Sequence, residues 1–145
     1  MELDNNEINS TSSKSCPDCN KSYTDIFWCK ECNAEQFRQN FSNWTSENNL
    51  IDKFIQKTQL NARNNNYLLE WISYNRFEII EYPEEYVFST VYKAVWLDGP
   101  IEKWSYNERK WVRYNEDKIN NISQQKGWKV VLKSINLDDE FLNKV

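Results

Sequence analysis

The four cysteines of this chain form two Cys-x-x-Cys pairs, which constrain the fold more than any other sequence feature. The pairs occupy positions 16–19 and 29–32, and nine residues separate them. Two intervening residues let both sulfurs of a tight knuckle reach one ion at about 2.3 Å, and two knuckles complete a tetrahedron. The spacing therefore predicts a small four-cysteine zinc ribbon over residues 16–33. Its ligands are Cys16, Cys19, Cys29 and Cys32.

These four thiols have alternative uses. Two disulfides or four free thiols are possible in principle, but the sequence has no secretory signal at its N-terminus, which predicts a reducing compartment where paired cysteines more often bind metal. We expect a cytoplasmic protein, with the nucleus as the alternative. A thioredoxin-like redox pair is disfavoured because no βαβ pattern surrounds either motif. Since four protein ligands leave no open coordination position, the pattern indicates a structural zinc.

Charge and composition exclude several classes of function. The chain of 145 residues carries a formal charge of −4 and contains no His. Without a basic run, a nucleic acid or an anionic membrane surface is not an expected partner. No apolar run is long enough to span a bilayer. The absence of His excludes Ser-His-Asp and Cys-His catalysis, and the presence of only two Gly excludes a Gly-rich phosphate loop.

The residues flanking the cysteines divide into three segments. Residues 1–15 are polar and are predicted to be a disordered tail. Residues 34–63 are predicted to be helical, with Asn33 and Gln36 as a capping box and Thr45 or Ser46 capping a second helix. That second helix carries an apolar stripe, which fits an intramolecular core or, as the alternative, a partner-binding face. The stripe consists of Leu50, Ile51, Phe54 and Ile55. Residues 64–76 are predicted to be a linker.

The remaining residues, 77–145, are rich in strand-forming residues. Strands are predicted over 77–82, 87–97 and 128–135, and a short helix over 140–145. Between them, 98–127 is an insertion in which 104–106 and 111–114 could pair as a hairpin. The aromatic residues and Arg of this hairpin permit a base-stacking role, but the net acidity favours an ordinary packing surface. The fold class is therefore α+β, with antiparallel strands.

Two of these strands resemble the opening strands of a protein kinase domain. Val91-Tyr92-Lys93-Ala94 is similar to the kinase pattern V-Y-K-A, and Val130-Val131-Leu132-Lys133 is similar to V-A-[IL]-K. The chain resembles an expanded fungal protein kinase family whose members have an N-terminal Cys-x-x-Cys module. The resemblance implies that residues 77–145 form a partial kinase N-lobe. This N-lobe would have three antiparallel strands, an inserted hairpin and a helix like αC.

The same resemblance implies a degenerate nucleotide site. Val91 would pack against adenine and Lys133 would contact the α- and β-phosphates. The three glycine positions of the kinase phosphate loop correspond to Glu84, Tyr86 and Ser89. Carboxylate charge and side-chain bulk there predict weak or absent ATP binding. Lys144 follows the segment that normally supplies the glutamate partner of the lysine, so two cations would face each other.

The resemblance further implies the absence of catalysis. The sequence has no His-Arg-Asp motif to supply a base and no Asp-Phe-Gly motif to bind magnesium. We therefore expect a catalytically inactive kinase remnant with a structural zinc, a protein partner and an interaction or regulatory role. One alternative is the N-terminal piece of a longer, ATP-binding Ser/Thr or Tyr protein kinase. The other is a zinc-ribbon interaction module that uses the rest of the chain as scaffold.

Overall fold

The structure is a computed structural model that describes residues 15–81, 91–114 and 127–134. These residues form a mixed α+β structure with two α-helices and two small antiparallel sheets, which confirms the predicted class at that level. The helices are α1 (Lys30–Asn40) and α2 (Asn49–Asn61). The strands are β1 (Phe77–Glu81), β2 (Val91–Trp96), β3 (Ile101–Ser105), β4 (Lys110–Arg113) and β5 (Trp128–Lys133). Short 3-10 turns occupy Phe41–Asn43, Asn65–Tyr67 and Tyr74–Arg76.

The described residues divide into two units. Unit 1 contains the residues up to Trp71 together with Lys103–Trp111, and unit 2 contains Ile72–Glu102 together with the residues from Val112 onward. The sequence predicts that all of 98–127 is an insertion of the second domain. In the structure Lys103–Trp111, the middle of the β3–β4 hairpin, groups with the cysteine-containing unit instead. Unit 1 is therefore built from two separate stretches of sequence.

Helix α1 begins earlier than the sequence suggests. Its N-cap is Cys29, and Asn33 lies inside the helix rather than capping it, so the predicted capping box is wrong. The Asn33 side chain is 1% exposed, and neither of its polar atoms has a hydrogen-bond partner among the described residues. The helix begins earlier because the second Cys-x-x-Cys pair, residues 29–32, has a spacing that fits the first turn of a helix.

Helix α2 begins later than the sequence suggests. Asn48 is the N-cap, and its Oδ1 accepts hydrogen bonds from the backbone N–H groups of Leu50 at 2.9 Å and Ile51 at 3.2 Å. The predicted caps at Thr45 and Ser46 are wrong, since both hydroxyls donate to the Asp52 carboxylate in the first turn. These bonds lower the pKa of Asp52. On the apolar stripe, Ile55 is buried and its neighbours are half-buried.

The larger sheet lies in unit 2 and has the strand order β1-β2-β5, with both pairings antiparallel. The register places Val91 opposite Lys133 and Lys93 opposite Val131. Alternation therefore puts these four side chains on one face. The other face carries Tyr92, Ala94 and Trp96, and the core of unit 2 includes Ala94, Val95, Trp96 and Ile101. The register shifts between Ile79 and Glu81, which indicates a bulge in β1.

Gly99 lies in the turn between β2 and β3, in a backbone conformation that L-residues rarely adopt. Its φ is +69°, and a Cβ built there would lie 1.9 Å from the carbonyl oxygen of Tyr114. We expect Gly99→Ala to destabilise unit 2 by about 2–4 kcal/mol, because the left-handed conformation costs about 1–2 kcal/mol and the backbone contact must also be relieved. Urea unfolding measures this loss. Asn107→Ala, in the exposed β3–β4 turn, is the control, and an equal effect in both variants would contradict the expectation.

Several sequence predictions lie outside the described residues. These are the tail up to residue 14, the kinase-like glycine positions at Glu84, Tyr86 and Ser89, the segment 115–126, and the helix predicted over 140–145 with Lys144. Among the described residues, neither helix has the length and apolar character needed to cross a bilayer.

Candidate metal centre

The structure brings all four cysteine sulfurs together in unit 1. The four Sγ atoms lie within 4.8 Å of one another, and no disulfide joins them. Two separations, Cys16 to Cys32 and Cys19 to Cys29, are both 3.7 Å. A tetrahedron with metal–sulfur bonds of about 2.3 Å has sulfur–sulfur edges of about 3.8 Å, whereas a disulfide measures about 2.05 Å. The donor set and its spacing are therefore compatible with one bound metal ion.

The first knuckle is closed by its own backbone. The N–H of Cys16 donates to the carbonyl of Lys21 at 2.8 Å, and the N–H of Asn20 donates to the carbonyl of Cys16 at 2.8 Å. Asn20 adopts a φ of +61°, a conformation that asparagine tolerates better than most residues. This tight turn points the sulfurs of Cys16 and Cys19 toward the same position.

The second knuckle is the start of helix α1. Cys29 is the N-cap in extended backbone, and Cys32 lies in the first turn, three residues further on the same helix face. The Asn33 N–H donates to the carbonyl of Cys29 at 2.9 Å, which closes that turn. Because unpaired N–H groups and the helix dipole favour negative charge at a helix N-terminus, this position suits thiolates. In place of the predicted ribbon, the first knuckle is a turn and the second is the start of a helix. The residues around and between them form only isolated β-bridges, such as Asp25 to Trp28.

The cysteines differ in burial and in proton affinity. Cys16 and Cys29 are 0% and 3% exposed, while Cys19 and Cys32 are half-buried. Burial raises the pKa of Cys16, but hydrogen bonds from the Tyr106 hydroxyl and from the backbone of Cys19 and Asp18 outweigh it and lower the pKa to about 7. Burial raises the pKa of Cys29. Burial and the neighbouring cysteines raise the pKa of Cys32. A metal ion that binds all four as thiolates must therefore displace protons.

Tyr106 also belongs to this site, and no local sequence pattern predicts its place there. Its hydroxyl oxygen lies 3.3 Å from the Sγ of Cys16, although ninety positions separate the two residues. Burial, followed by the hydrogen bond to Cys16, raises the pKa of Tyr106, so its hydroxyl keeps its proton and can donate to a thiolate. The one sequence feature that pointed to this contact was the aromatic content of the hairpin. It indicated that the hairpin packs against another part of the chain, but it did not indicate which part.

The two residues predicted to remain from a nucleotide site lie in unit 2. Val91 and Lys133 are directly opposite each other on β2 and β5, so both side chains lie on one face of the sheet. Lys133 is exposed and Val91 is half-buried. Val131, where the kinase pattern has alanine, is 63% exposed on that face. The structure therefore places Val91 and Lys133 together as a cross-strand pair.

A cleft of about 420 Å³ opens on the same sheet. Its lining combines three aliphatic side chains and one alanine with two lysines. These residues are Ile80, Lys93, Ala94, Lys129, Val130 and Val131. Lys93 forms an ion pair with Glu81 at 3.2 Å, and neither Val91 nor Lys133 lines the cleft.

Comparison of the chain with protein-family models, with curated proteins and with solved structures gave no match. A function must therefore be inferred from the geometry of this molecule itself. Its most specific element is the set of four converging sulfurs in unit 1.

Proposed function

We propose that the four cysteines bind one structural Zn²⁺ and that the chain is a zinc-stabilised interaction protein without catalytic activity of its own. The observation that carries the proposal is the pair of sulfur–sulfur separations of 3.7 Å, which match the edges of a zinc tetrathiolate. Four protein thiolates satisfy the tetrahedral preference of zinc and leave no position for a substrate or water. This arrangement is typical of a structural site rather than a catalytic one.

Metal analysis of the purified chain tests this proposal. We expect about one zinc per chain, released by a chelator, together with four thiols that become reactive only after the metal is removed. Tetrahedral sulfur sites also accept iron, so the same measurement should quantify iron, which would give visible absorbance. A folded, metal-free protein with four reactive thiols would falsify the metal proposal, and iron in place of zinc would correct the metal's identity.

The interaction role is supported by apolar side chains that unit 1 leaves exposed beside the metal centre. Ile26 is 81% exposed and Phe27 is 46% exposed, in the turn between the two knuckles. Phe27 has a φ of +54°, which is an outlier for a bulky residue, and strained positions cluster at functional sites. A protein partner with an apolar pocket would cover these side chains. In the alternative form of the proposal the knuckles are the functional part and unit 2 is scaffold.

A second candidate concerns unit 2, which we propose is related to the N-lobe of a protein kinase and has lost nucleotide binding. The supporting observation is the antiparallel order β1-β2-β5 with Val91 opposite Lys133, since the resemblance implies that these two residues face one ligand. Against retained activity, the sequence carries Glu84, Tyr86 and Ser89 where a phosphate loop requires glycine. The carboxylate and the side-chain bulk would oppose a polyphosphate.

A thermal shift measurement with millimolar Mg-ATP tests the loss of nucleotide binding. Since we propose that the site no longer binds nucleotide, we expect Tm to change by less than about 1 °C. A ligand present at 100-fold above its Kd would instead stabilise the protein by about 2.7 kcal/mol and raise Tm by several degrees. Addition of zinc to metal-free protein is the positive control and should raise Tm strongly. A shift of several degrees with Mg-ATP, abolished by Lys133→Ala, would show that the nucleotide site is functional.

A further inference from the structure

The β3–β4 hairpin reaches the metal centre through a hydrogen bond to a metal-binding sulfur. Tyr106 lies next to the turn of the hairpin, and its hydroxyl is 3.3 Å from the Sγ of Cys16. Four thiolates around a divalent cation leave surplus negative charge on the sulfurs. A hydrogen bond from outside the ligand set disperses that charge and fixes the ligand's orientation. The Tyr106 hydroxyl is placed to supply such a bond to Cys16.

The same hairpin contacts the first knuckle through an ion pair. Arg109 donates through Nη1 to both carboxylate oxygens of Asp18, at 3.2 and 2.9 Å. Asp18 lies between the two cysteines of that knuckle. The guanidinium is about half-exposed, so the ion pair contributes modestly to stability but specifies where the turn lies.

The hairpin also contacts the second knuckle, through aromatic packing. The ring of Trp111 stacks on Phe37 with centroids 4.4 Å apart, and on Trp28 with centroids 5.8 Å apart. Trp28 immediately precedes Cys29, and Phe37 lies on helix α1, which begins at Cys29. The hairpin therefore rests on both knuckles at once, through polar contacts to one and aromatic contacts to the other.

We propose that the metal ion acts as a clasp that orders the Lys103–Trp111 segment, with Tyr106 as a positioning residue for the Cys16 thiolate. The inference rests on the proposed metal site. No disulfide joins the two knuckles, and the Lys21–Glu31 ion pair that links them at 2.7 Å lies between exposed side chains and contributes little. A bound metal ion would therefore supply the main connection between the knuckles. When the metal leaves, the first knuckle, which Tyr106 and Arg109 contact, can move away from the second knuckle, beside which Trp111 packs. The hairpin then loses the simultaneous contacts that hold it against the rest of unit 1.

Hydrogen–deuterium exchange of the full chain, with and without zinc, tests the clasp. We expect peptides covering 103–111 to exchange at least tenfold faster after chelation, in parallel with the knuckles, while peptides from β2 and β5 change less. If the knuckles lose protection and 103–111 does not, the clasp is refuted although the metal site stands. If the purified protein neither contains nor takes up metal, the proposed function and the clasp fail together.

Tyr106→Phe tests the positioning role, because it removes the hydroxyl and retains the ring. We expect the affinity for zinc, measured by competition with a chromogenic chelator, to fall about 10–100-fold, as for other outer hydrogen bonds to metal ligands. Tyr67→Phe removes an exposed hydroxyl from the same unit and should leave the affinity unchanged. An affinity within twofold of wild type for Tyr106→Phe refutes the role.

Arg109→Gln provides a second test that does not depend on the folding of Tyr106→Phe. Since the Arg109 guanidinium is about half-exposed and pairs with Asp18 rather than with a cysteine, we expect one zinc per chain to be retained. The exchange of 103–111 should nevertheless rise severalfold, because the contact to Asp18 is lost. Unchanged exchange in this variant would refute the polar contacts as part of the clasp.

Discussion

Cys29→Ser is expected to abolish tight metal binding and to unfold the cysteine-containing unit. Cys29 is 3% exposed, and it is both a metal ligand in our proposal and the N-cap of α1. A serine hydroxyl is not deprotonated near neutral pH, so one of the four anionic ligands disappears. The apparent binding free energy of a structural zinc site is about 10–16 kcal/mol at pH 7, and it contributes directly to folding because no site exists in the unfolded chain. Losing most of it is comparable to the whole stability of an ordinary small domain, which is about 5–15 kcal/mol.

Metal content and circular dichroism measure the outcome for Cys29→Ser. We expect less than a tenth of the wild-type zinc, with loss of helical signal from α1 and α2 and of the near-ultraviolet signal from packed tryptophans. Ser22→Ala, an exposed change in the loop between the knuckles, is the matched control and should retain one zinc and the wild-type spectrum. A Cys29→Ser protein with full zinc content and unchanged Tm would show that the cysteines are not the structural centre of this unit.

Trp28→Ala is expected to destabilise unit 1 by about 3–5 kcal/mol, which is the usual range for removing a large buried aromatic side chain. Trp28 is 1% exposed, and its ring packs against those of Phe37 and Trp111, with centroids 6.4 and 5.8 Å away. Its Nε1 donates to the carbonyl of Ala62 at 3.0 Å, and Ala62 is itself 2% exposed. The substitution therefore leaves both a cavity and a buried carbonyl without its donor.

Urea unfolding at a fixed concentration of free zinc measures the effect of Trp28→Ala, because bound metal contributes to the apparent stability. Trp28→Phe, which keeps a ring but loses the N–H, should fall between wild type and alanine. Trp71→Ala is the control, since Trp71 is 40% exposed in the same unit and should cost less than about 1 kcal/mol. Equal losses for Trp28→Ala and Trp71→Ala would mean that Trp28 is not central to the core.

The parts of the fold that the sequence predicted are those encoded by short-range patterns. The Cys-x-x-Cys spacing predicted the convergence of four sulfurs, because the geometry of a knuckle is local. Strands β2 and β5 were predicted because runs of β-branched and aromatic residues favour extended backbone at any position in a sheet. The hairpin was placed from its two aromatic segments and its polar turn. The mixed α+β class followed from these elements.

The errors arose where two local signals competed. Asn33 followed by Gln36 fits a capping box, but the helix already begins at the knuckle with Cys29 as its N-cap, so Asn33 lies inside the helix. Thr45 and Ser46 fit N-caps, but Asn48 is nearer to the first turn and Asp52 accepts their hydroxyls instead. In both cases the residue type was suitable for a cap, but other residues in or next to the first turn decided where the helix began.

The contacts of Tyr106, Arg109 and Trp111 could not be predicted from local pattern. Each reaches a residue more than seventy positions earlier, and nothing in the sequence of the hairpin specifies that neighbour. Only the three-dimensional arrangement reveals that the outer contacts of a cysteine cluster near the N-terminus come from the second half of the chain. The aromatic residues of a hairpin predict that it is buried, but they do not predict which part of the chain it packs against.

The construction of unit 1 from two stretches of sequence has a consequence for synthesis on the ribosome. The knuckles and both helices are complete once Trp71 has been made, but Tyr106, Arg109 and Trp111 are added only some forty residues later. If the cysteines bind metal as we propose, they can do so before that point, while Phe37 and Trp28 still lack the Trp111 ring that stacks on them. Because contacts between residues distant in sequence close slowly, we expect the packing of the hairpin on the cysteine knuckles to be a late step of folding.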